Sequence, residues 1–426
     1  MPSALERAIA AARSAAAERV FIHRFDPPGR CERDGILPWA GIPVTVKDNF
    51  DIAGLATTAG SRLLWDAPPA AADAEVVRRL RRAGLVILGR TNMTEFAYSG
   101  LGINPHFGTP LNPAFTGSVR LPGGSSSGAA VSVALGMAPF AIGTDTGGSV
   151  RIPAAWCGLV GFKPTAEAIS RAGLLPLSTS LDSVGIIATS VDDCAALFDL
   201  IRSEGTPRGA PAAAALTGRR LARVRGYVDD DIESEVETAF ESALSRLATA
   251  GAIIEELRIP ELGRIAQMHA VGTLSAAESY AWHREYLRTR ASVYDPRVRA
   301  RIARGAAISA AGYQRLVADR REFAASFSAR IAPYDGVLWP TVPMVAPEPG
   351  PLADPSAYDR CNMRALRNST VVNLADGCAL SLPCGEGPAP VGLTVAGGHR
   401  RDDGLLALAR SIEAALDSPP PPRSAR

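Results

Sequence analysis

Two glycine- and serine-rich turns, joined by one apolar unit, constrain this chain more than any other feature. Residues 122–165 carry GGSSSG at Gly123 to Gly128, an apolar run, GTDTGGS at Gly143 to Ser149, and a short passage into Lys163-Pro164. Glycine beside a serine removes neighbouring side chains and lets backbone N–H groups converge on one point. Each turn therefore presents a serine, Ser125 or Ser149, and the unit between them is apolar enough for a core. That layout suits a nucleophile with an oxyanion hole.

A serine hydroxyl needs a base to become a nucleophile, and histidine is the usual one. The chain has five histidines, and none lies in either turn. A lysine must then serve, as in Ser-Lys constellations. Residues 42–46 are short, apolar and β-branched, which predicts a buried strand, and Lys47 stands at its polar end. Taken alone, such a lysine is a solvated strand terminus. Beside two serine turns it becomes the candidate base, provided that burial lowers its pKa from about 10.4 so that it is neutral.

Residues 122–165 resemble the amidase signature family, whose motif runs GGSS(G/S)G and then GTD(T/I)GGS(I/V)R(I/F)PAA, CG and G(L/F)KPT. The match is long and ungapped. The resemblance implies Ser149 as nucleophile, Ser125 as a bridging serine held by a cis peptide bond, and Lys47, in Gly41 to Asp48, as the catalytic lysine. It implies an oxyanion hole from the N–H groups of Thr146, Gly147 and Gly148, and substrate contacts from Met93, Ser126 and Arg171. Ser127 stands where many members have glycine, Ala129 where many have serine, and Ile186 where proline often follows the glycine. The fold implied is a large mixed β-sheet covered by helices on both faces, an α/β/α sandwich. The activity implied is hydrolysis of a small amide, with no cofactor and no metal, by a homodimer.

Elsewhere the chain alternates strands and helices, which argues independently for an α/β layered sheet. The apolar spacing of residues 1–19 predicts an amphipathic helix capped by Ser3. Residues 73–82 read as a helix and 84–89 as a buried strand. Arg90 to Phe96 follows and resembles the family segment that lines the active-site side of the sheet; Glu95 there reads as structural. Residues 104–120, rich in proline and glycine, read as a loop. Residues 126–137 are apolar all round, hence a buried helix, and 140–142 a central strand. Asp145 and Arg151 read as a buried pair bracing the second turn. Cys157, among Ala154, Ala155, Trp156 and Leu159, reads as an inert buried thiol. Residues 170–193 resemble the segment that closes over the site.

Residues 200–216 shift to alanine, glycine and proline and read as a linker. One domain, 1–426, is expected, with lobes 1–205 and 215–417 and a disordered tail at 418–426. Residues 220–226, 232–250 and 252–257 spell a βαβ unit. Residues 260–330 read as a helical layer, with Tyr280, Trp282, Tyr286, Tyr294 and Tyr313 packing onto it. Strands are expected at 335–341, 378–383 and 390–396, and helices at 362–374 and 402–416.

Composition excludes several classes. The 45 basic and 43 acidic residues give a net charge of +2, so no nucleic acid or acidic membrane is implied. Six scattered cysteines without CxxC spacing suit a reducing cytoplasm. No HxxxH or HxH pair suggests a metal. No charged-flanked export segment and no apolar run of about 18 residues is present. Two rival readings remain. The same chemistry can serve as the glutaminase subunit of a tRNA-dependent amidotransferase, which needs partner chains. A phosphate-binding module built on the Gly-Ser turns is the other, although GGSSSG lacks the lysine of a P-loop.

Overall fold

The computed structural model describes residues 3–26, 39–203, 209, 212–213, 215–270 and 272–417. The expected tail at 418–426 and eight of the seventeen residues of the expected linker at 200–216 lie outside them. Among the described residues eleven strands form one mixed sheet. In chain order these are β1 (Phe21–Arg24), β2 (Pro43–Lys47), β3 (Val86–Thr91), β4 (Phe140–Asp145), β5 (Val160–Lys163) and β6 (Ser183–Ala188). They continue as β7 (Arg220–Arg225), β8 (Ile253–Arg258), β9 (Gly336–Pro340), β10 (Cys378–Pro383) and β11 (Gly392–Gly397). The spatial order is β1-β3-β2-β4-β6-β5-β10-β11-β9-β7-β8. Strands β3, β2 and β4 run parallel, as do β8, β7 and β9, and antiparallel pairs connect the two sets.

Successive strand residues point to opposite faces, and the core divides accordingly. Phe140 and Ile142 of β4 and Val184 and Ile186 of β6 face one apolar cluster. Helices α2 (Glu75–Ala83), α5 (Val191–Ile201), α6 (Ser234–Thr249) and α12 (Asp402–Asp417) cover that face. Ala141 and Ile187 face the other side, where α1 (Ala4–Arg13), α3 (Ser127–Ala134) and α4 (Arg151–Cys157) pack. Further along that side, α7 (Arg264–Ala270), α10 (Ala310–Ile331) and α11 (Pro355–Leu374) pack on Ala222, Val337 and Trp339. Helices α8 (Leu274–Arg290) and α9 (Pro296–Ala303) form an outer layer around Phe96 and Tyr294.

Local chemistry explains the boundaries. Ser3 caps α1 in a reciprocal capping box with Glu6. Gly84 ends α2 in a left-handed turn. Asp354 caps α11, whose first residue is Pro355, so the helix starts seven residues before the expected position 362. β7, α6 and β8 form the expected unit, with β7 and β8 parallel. α3 is buried on every side, and a Cβ at Gly128 would overlap the carbonyl of Val20. That close approach docks α3 beside β3. Strand β1 was not expected. It pairs antiparallel with β3 although His23 and Arg24 are polar and exposed.

Candidate active site

Parallel pairing with β3 and β4 places β2 inside the sheet and carries Lys47 to its C-terminal end. Contrary to the solvated-terminus reading, all five residues of β2 are buried, and Lys47 is 0 % exposed. Its Nζ lies 2.7 Å from Ser125 Oγ and 2.7 Å from Thr144 Oγ1 on the neighbouring β4. Burial penalises the ammonium and brings the Lys47 pKa down to about 7, against the opposing pull of Asp182 and Asp145.

Ser125 sits in the turn that leads into α3, and the Gly124–Ser125 peptide is cis. The turn is fastened by Gly124 N–H to the Gly100 carbonyl at 2.8 Å and by Thr94 N–H to the Ser125 carbonyl at 3.1 Å. The second turn connects β4 to α4. It is joined to the first by Ser126 N–H donating to the Ser149 carbonyl at 3.2 Å. Ser149 Oγ has no hydrogen-bond partner among the described residues, Ser125 Oγ included. The structure thus joins Lys47 to Ser125 directly, and brings Ser149 to them through backbone.

Asp145 organises the second turn. Its carboxylate accepts from Gly148 N–H at 2.9 Å, Val150 N–H at 3.2 Å and Asn373 Nδ2 at 2.9 Å. Arg151 adds Nε at 3.0 Å and Nη2 at 2.9 Å. Both side chains of this pair are 0 % exposed. Burial alone would raise the Asp145 pKa, but the Arg151 charge and its hydrogen bonds hold it well below the usual carboxylate range. From α11, Asn373 bridges both partners, its Oδ1 accepting from Arg151 Nη2 at 2.7 Å. Also from α11, Ser369 Oγ donates to the Gly147 carbonyl at 2.6 Å.

This bracing engages one donor of the expected oxyanion set. The Gly148 N–H is committed to Asp145, so it points into the protein and not toward a bound carbonyl. Gly148 has φ +126°, and a Cβ there would overlap Ser369. Its glycine serves the turn's packing. The N–H groups of Gly147 and Ser149 have no acceptor among the described residues.

The expected substrate contacts are placed variously. Met93 is fully buried, and its carbonyl accepts from Asn104 Nδ2 at 2.7 Å. Ser126 is also fully buried, its hydroxyl turned to the Thr144 carbonyl at 3.3 Å. Arg171 is partly exposed, and its Nη1 donates to the carbonyls of Thr179 at 2.6 Å and Asp182 at 3.2 Å. These bonds give all three a place in the packing. Glu95 is structural, accepting from Ser61 Oγ, His106 Nε2 and Asp295 N–H. Cys157 is buried, and burial pushes its thiol pKa up, away from thiolate chemistry. Trp282 and Tyr294 pack on Phe96, and Tyr286 stacks on Trp282, so the aromatic layer joins the segment after β3.

Sequence reasoning missed Thr144, Ser369, Asn373 and Asp182. Asn373 and Ser369 act across more than 200 positions of chain, where no local pattern announces them. Thr144 precedes Asp145 on a strand expected to stop at 142, and carrying the strand on to Asp145 would have found it.

Comparison with known proteins identifies the family. A family model described as Amidase matches residues 9–406. A 2-amino-5-chloromuconic acid deaminase of Comamonas testosteroni is 37% identical over 383 residues, covering 89% of this chain and 82% of the relative. A glutamyl-tRNA(Gln) amidotransferase component from Methanococcoides burtonii, one chain of that complex, is 34% identical, covering 89% and 86% respectively. A crystal structure of an amidase superposes with a TM-score of 0.86 at 30% identity, over 97% of this chain and 95% of that one.

Proposed function

The chain belongs to the amidase family, which makes it an amide-hydrolysing enzyme, and on that premise we propose that it cleaves the C–N bond of a small carboxamide through a Ser149 acyl-enzyme. The observation that carries this reading is the buried Lys47 Nζ, 2.7 Å from Ser125 Oγ, with its pKa brought down to about 7. At and above neutral pH a large share of Lys47 is free base.

Neutral Lys47 accepts the proton of Ser125 while Ser125 takes the proton of Ser149, and Ser149 Oγ adds to the amide carbonyl. The hydroxyl of Ser149 turns toward Ser125 as the substrate settles. The oxyanion is held by the N–H groups of Thr146, Gly147 and Ser149, with Gly148 left out because its N–H is bonded to Asp145. One such donor is worth roughly 3–4 kcal/mol in the transition state. The tetrahedral species collapses, the C–N bond breaks, and the proton returns through Ser125 to the leaving nitrogen. Water then attacks the ester by the same relay, releasing the carboxylate and restoring Ser149.

A second reading has its own support, since relatives at 34–36% identity are components of a glutamyl-tRNA(Gln) amidotransferase. Chemistry at Ser149 is then the same, but partner chains and an acceptor for ammonia are required. A cytoplasmic homodimer is the working form that goes with the stand-alone reading. The free, mostly buried thiols at Cys157, Cys194, Cys361, Cys378 and Cys384 support the compartment. Among the described residues no helix is long and apolar enough to cross a membrane.

The test is ammonia release by the purified chain alone from glutamine, malonamate, an aryl amide and allophanate, with Ser149→Ala in parallel. Release by the native chain and silence from the variant are expected. Release by both would overturn the Ser149 assignment. Release from glutamine only after partner chains are added would favour the second reading.

A further inference from the structure

We propose that Asp182 is a positioning residue for the amide-hydrolysing site, one buried carboxylate that fixes the Thr146 end of the catalytic turn and sets its charge against Lys47. Asp182 lies just before β6 and is 2 % exposed. Its Oδ1 accepts from Thr146 Oγ1 at 2.6 Å. Its Oδ2 accepts from the N–H groups of Leu177 at 3.0 Å and Ser178 at 3.1 Å. One side chain therefore ties the turn that carries Ser149 to the loop at 177–182. That loop is fastened in turn to the helical layer. Glu278 of α8 accepts from Ser178 Oγ at 2.6 Å, from Ser180 N–H and Oγ, and from Tyr313 of α10 at 2.9 Å.

The electrostatics point the same way. The charges acting on Lys47 are Asp182 and Asp145, and Asp145 is already paired with Arg151. Asp48, next to Lys47 in the chain, is paired with Arg90 at 3.1 Å. The cation that lowers Asp182 is Arg171, and that guanidinium is engaged with two carbonyls. Burial pushes Asp182 up to about 6, against the hydrogen bonds from Thr146, Ser178 and Leu177. Asp182 is thus a buried carboxylate whose charge favours the ammonium form of Lys47. Removing the Asp182 charge removes a stabiliser of the ammonium, so Lys47 becomes neutral at lower pH.

Asp182→Asn separates charge from geometry. The Asn oxygen can accept from Leu177 and Ser178, and its NH2 can donate to Thr146 Oγ1, because a hydroxyl both donates and accepts. The inference rests on Lys47 being the base. The experiment is the pH dependence of the p-nitrophenol burst from p-nitrophenyl acetate, between pH 5 and 9, with Ser149→Ala as blank. The native enzyme is expected to lose burst rate on the acid side near pH 7. Asp182→Asn is expected to move that limb to lower pH by roughly 0.5–1 unit, while keeping the rate at pH 9 within about threefold. Thr146→Val serves as the second variant should Asp182→Asn fail to fold. Losing the Thr146 hydrogen bond favours protonated Asp182, so its limb shifts in the same direction. A native limb near pH 7 with no shift in whichever variant folds would overturn the role of Asp182 alone. A flat native profile would overturn the Lys47 reading and this inference with it.

Discussion

Replacing Arg151 by methionine tests how the catalytic turn is held. Arg151 is 0 % exposed and supplies two hydrogen bonds, at 3.0 and 2.9 Å, and the counter-charge of Asp145. Methionine fills most of the space without a charge. Asp145 would keep Gly148 N–H, Val150 N–H, the backbone N–H of residue 151 and Asn373 Nδ2 as donors. Breaking a buried pair at one partner costs about 3–5 kcal/mol, because the other charge stays buried and unpaired. Four surviving donors place the expected loss near the lower end, ~3 kcal/mol. Asp145→Asn combined with Arg151→Met leaves no orphan charge, so the double variant should lose less than the sum of the two single ones. The assay is urea unfolding of the native enzyme, both single variants and the double variant at pH 7.5. Acid gives a second check. The Asp145 pKa is depressed in the fold, so its contribution is present above the unfolded value and is lost only as pH falls through the lower folded value. The stability gap between native and Arg151→Met should therefore narrow as pH drops below about 4, where the variant can protonate Asp145. A loss under about 1 kcal/mol, or additive single variants, would refute the bracing argument.

Three further outcomes follow from the same geometry. Lys47 carries a pKa lowered to about 7, while the unfolded chain holds that proton to about 10.4, so native stability should rise with pH across that window. Lys47→Met should abolish turnover and, in unfolding experiments, gain on the native protein by up to ~5 kcal/mol at pH 6 relative to pH 10.5, a difference of zero being the contrary result. Ser369→Ala removes the hydrogen bond to the Gly147 carbonyl and should lower kcat by about tenfold, at a cost near 1 kcal/mol in stability, with KM little changed. Gly148→Ala places a Cβ into Ser369 at a backbone angle that disfavours side chains, so soluble, active protein from that variant would contradict the packing described.

What could be read from the sequence was local. Lys47, Ser125 and Ser149 announce themselves because each ends a strand or opens a tight turn, and the glycines beside the serines leave few other uses for them. The alternation of strands and helices, and the parallel pairing of β7 and β8 around α6, follow from apolar periodicity that any short window contains. The supports of the site were not local. Asn373 and Ser369 reach the turn from α11, and a lone asparagine or serine on a helix face gives no sign of its distant partner. Asp182 sits between a loop and a strand, where acidic residues are ordinarily solvated. The Gly148 N–H shows the same limit in reverse. Its place in GTDTGGS suggests an oxyanion donor, and only the position of the Asp145 carboxylate reveals that it is already bonded. Strand β1 escaped notice because its polar, exposed residues lack the alternation of a half-buried strand, and pairing with β3 alone defines it.

The most direct test of the central claim is to quench turnover of a substrate amide with acid and map the trapped acyl group by mass spectrometry. An acyl ester is expected on Ser149 in the native enzyme, none in Ser149→Ala, and strongly reduced trapping in Lys47→Ala. An acyl group on Cys157 or any other side chain, or undiminished turnover by Ser149→Ala, would contradict it.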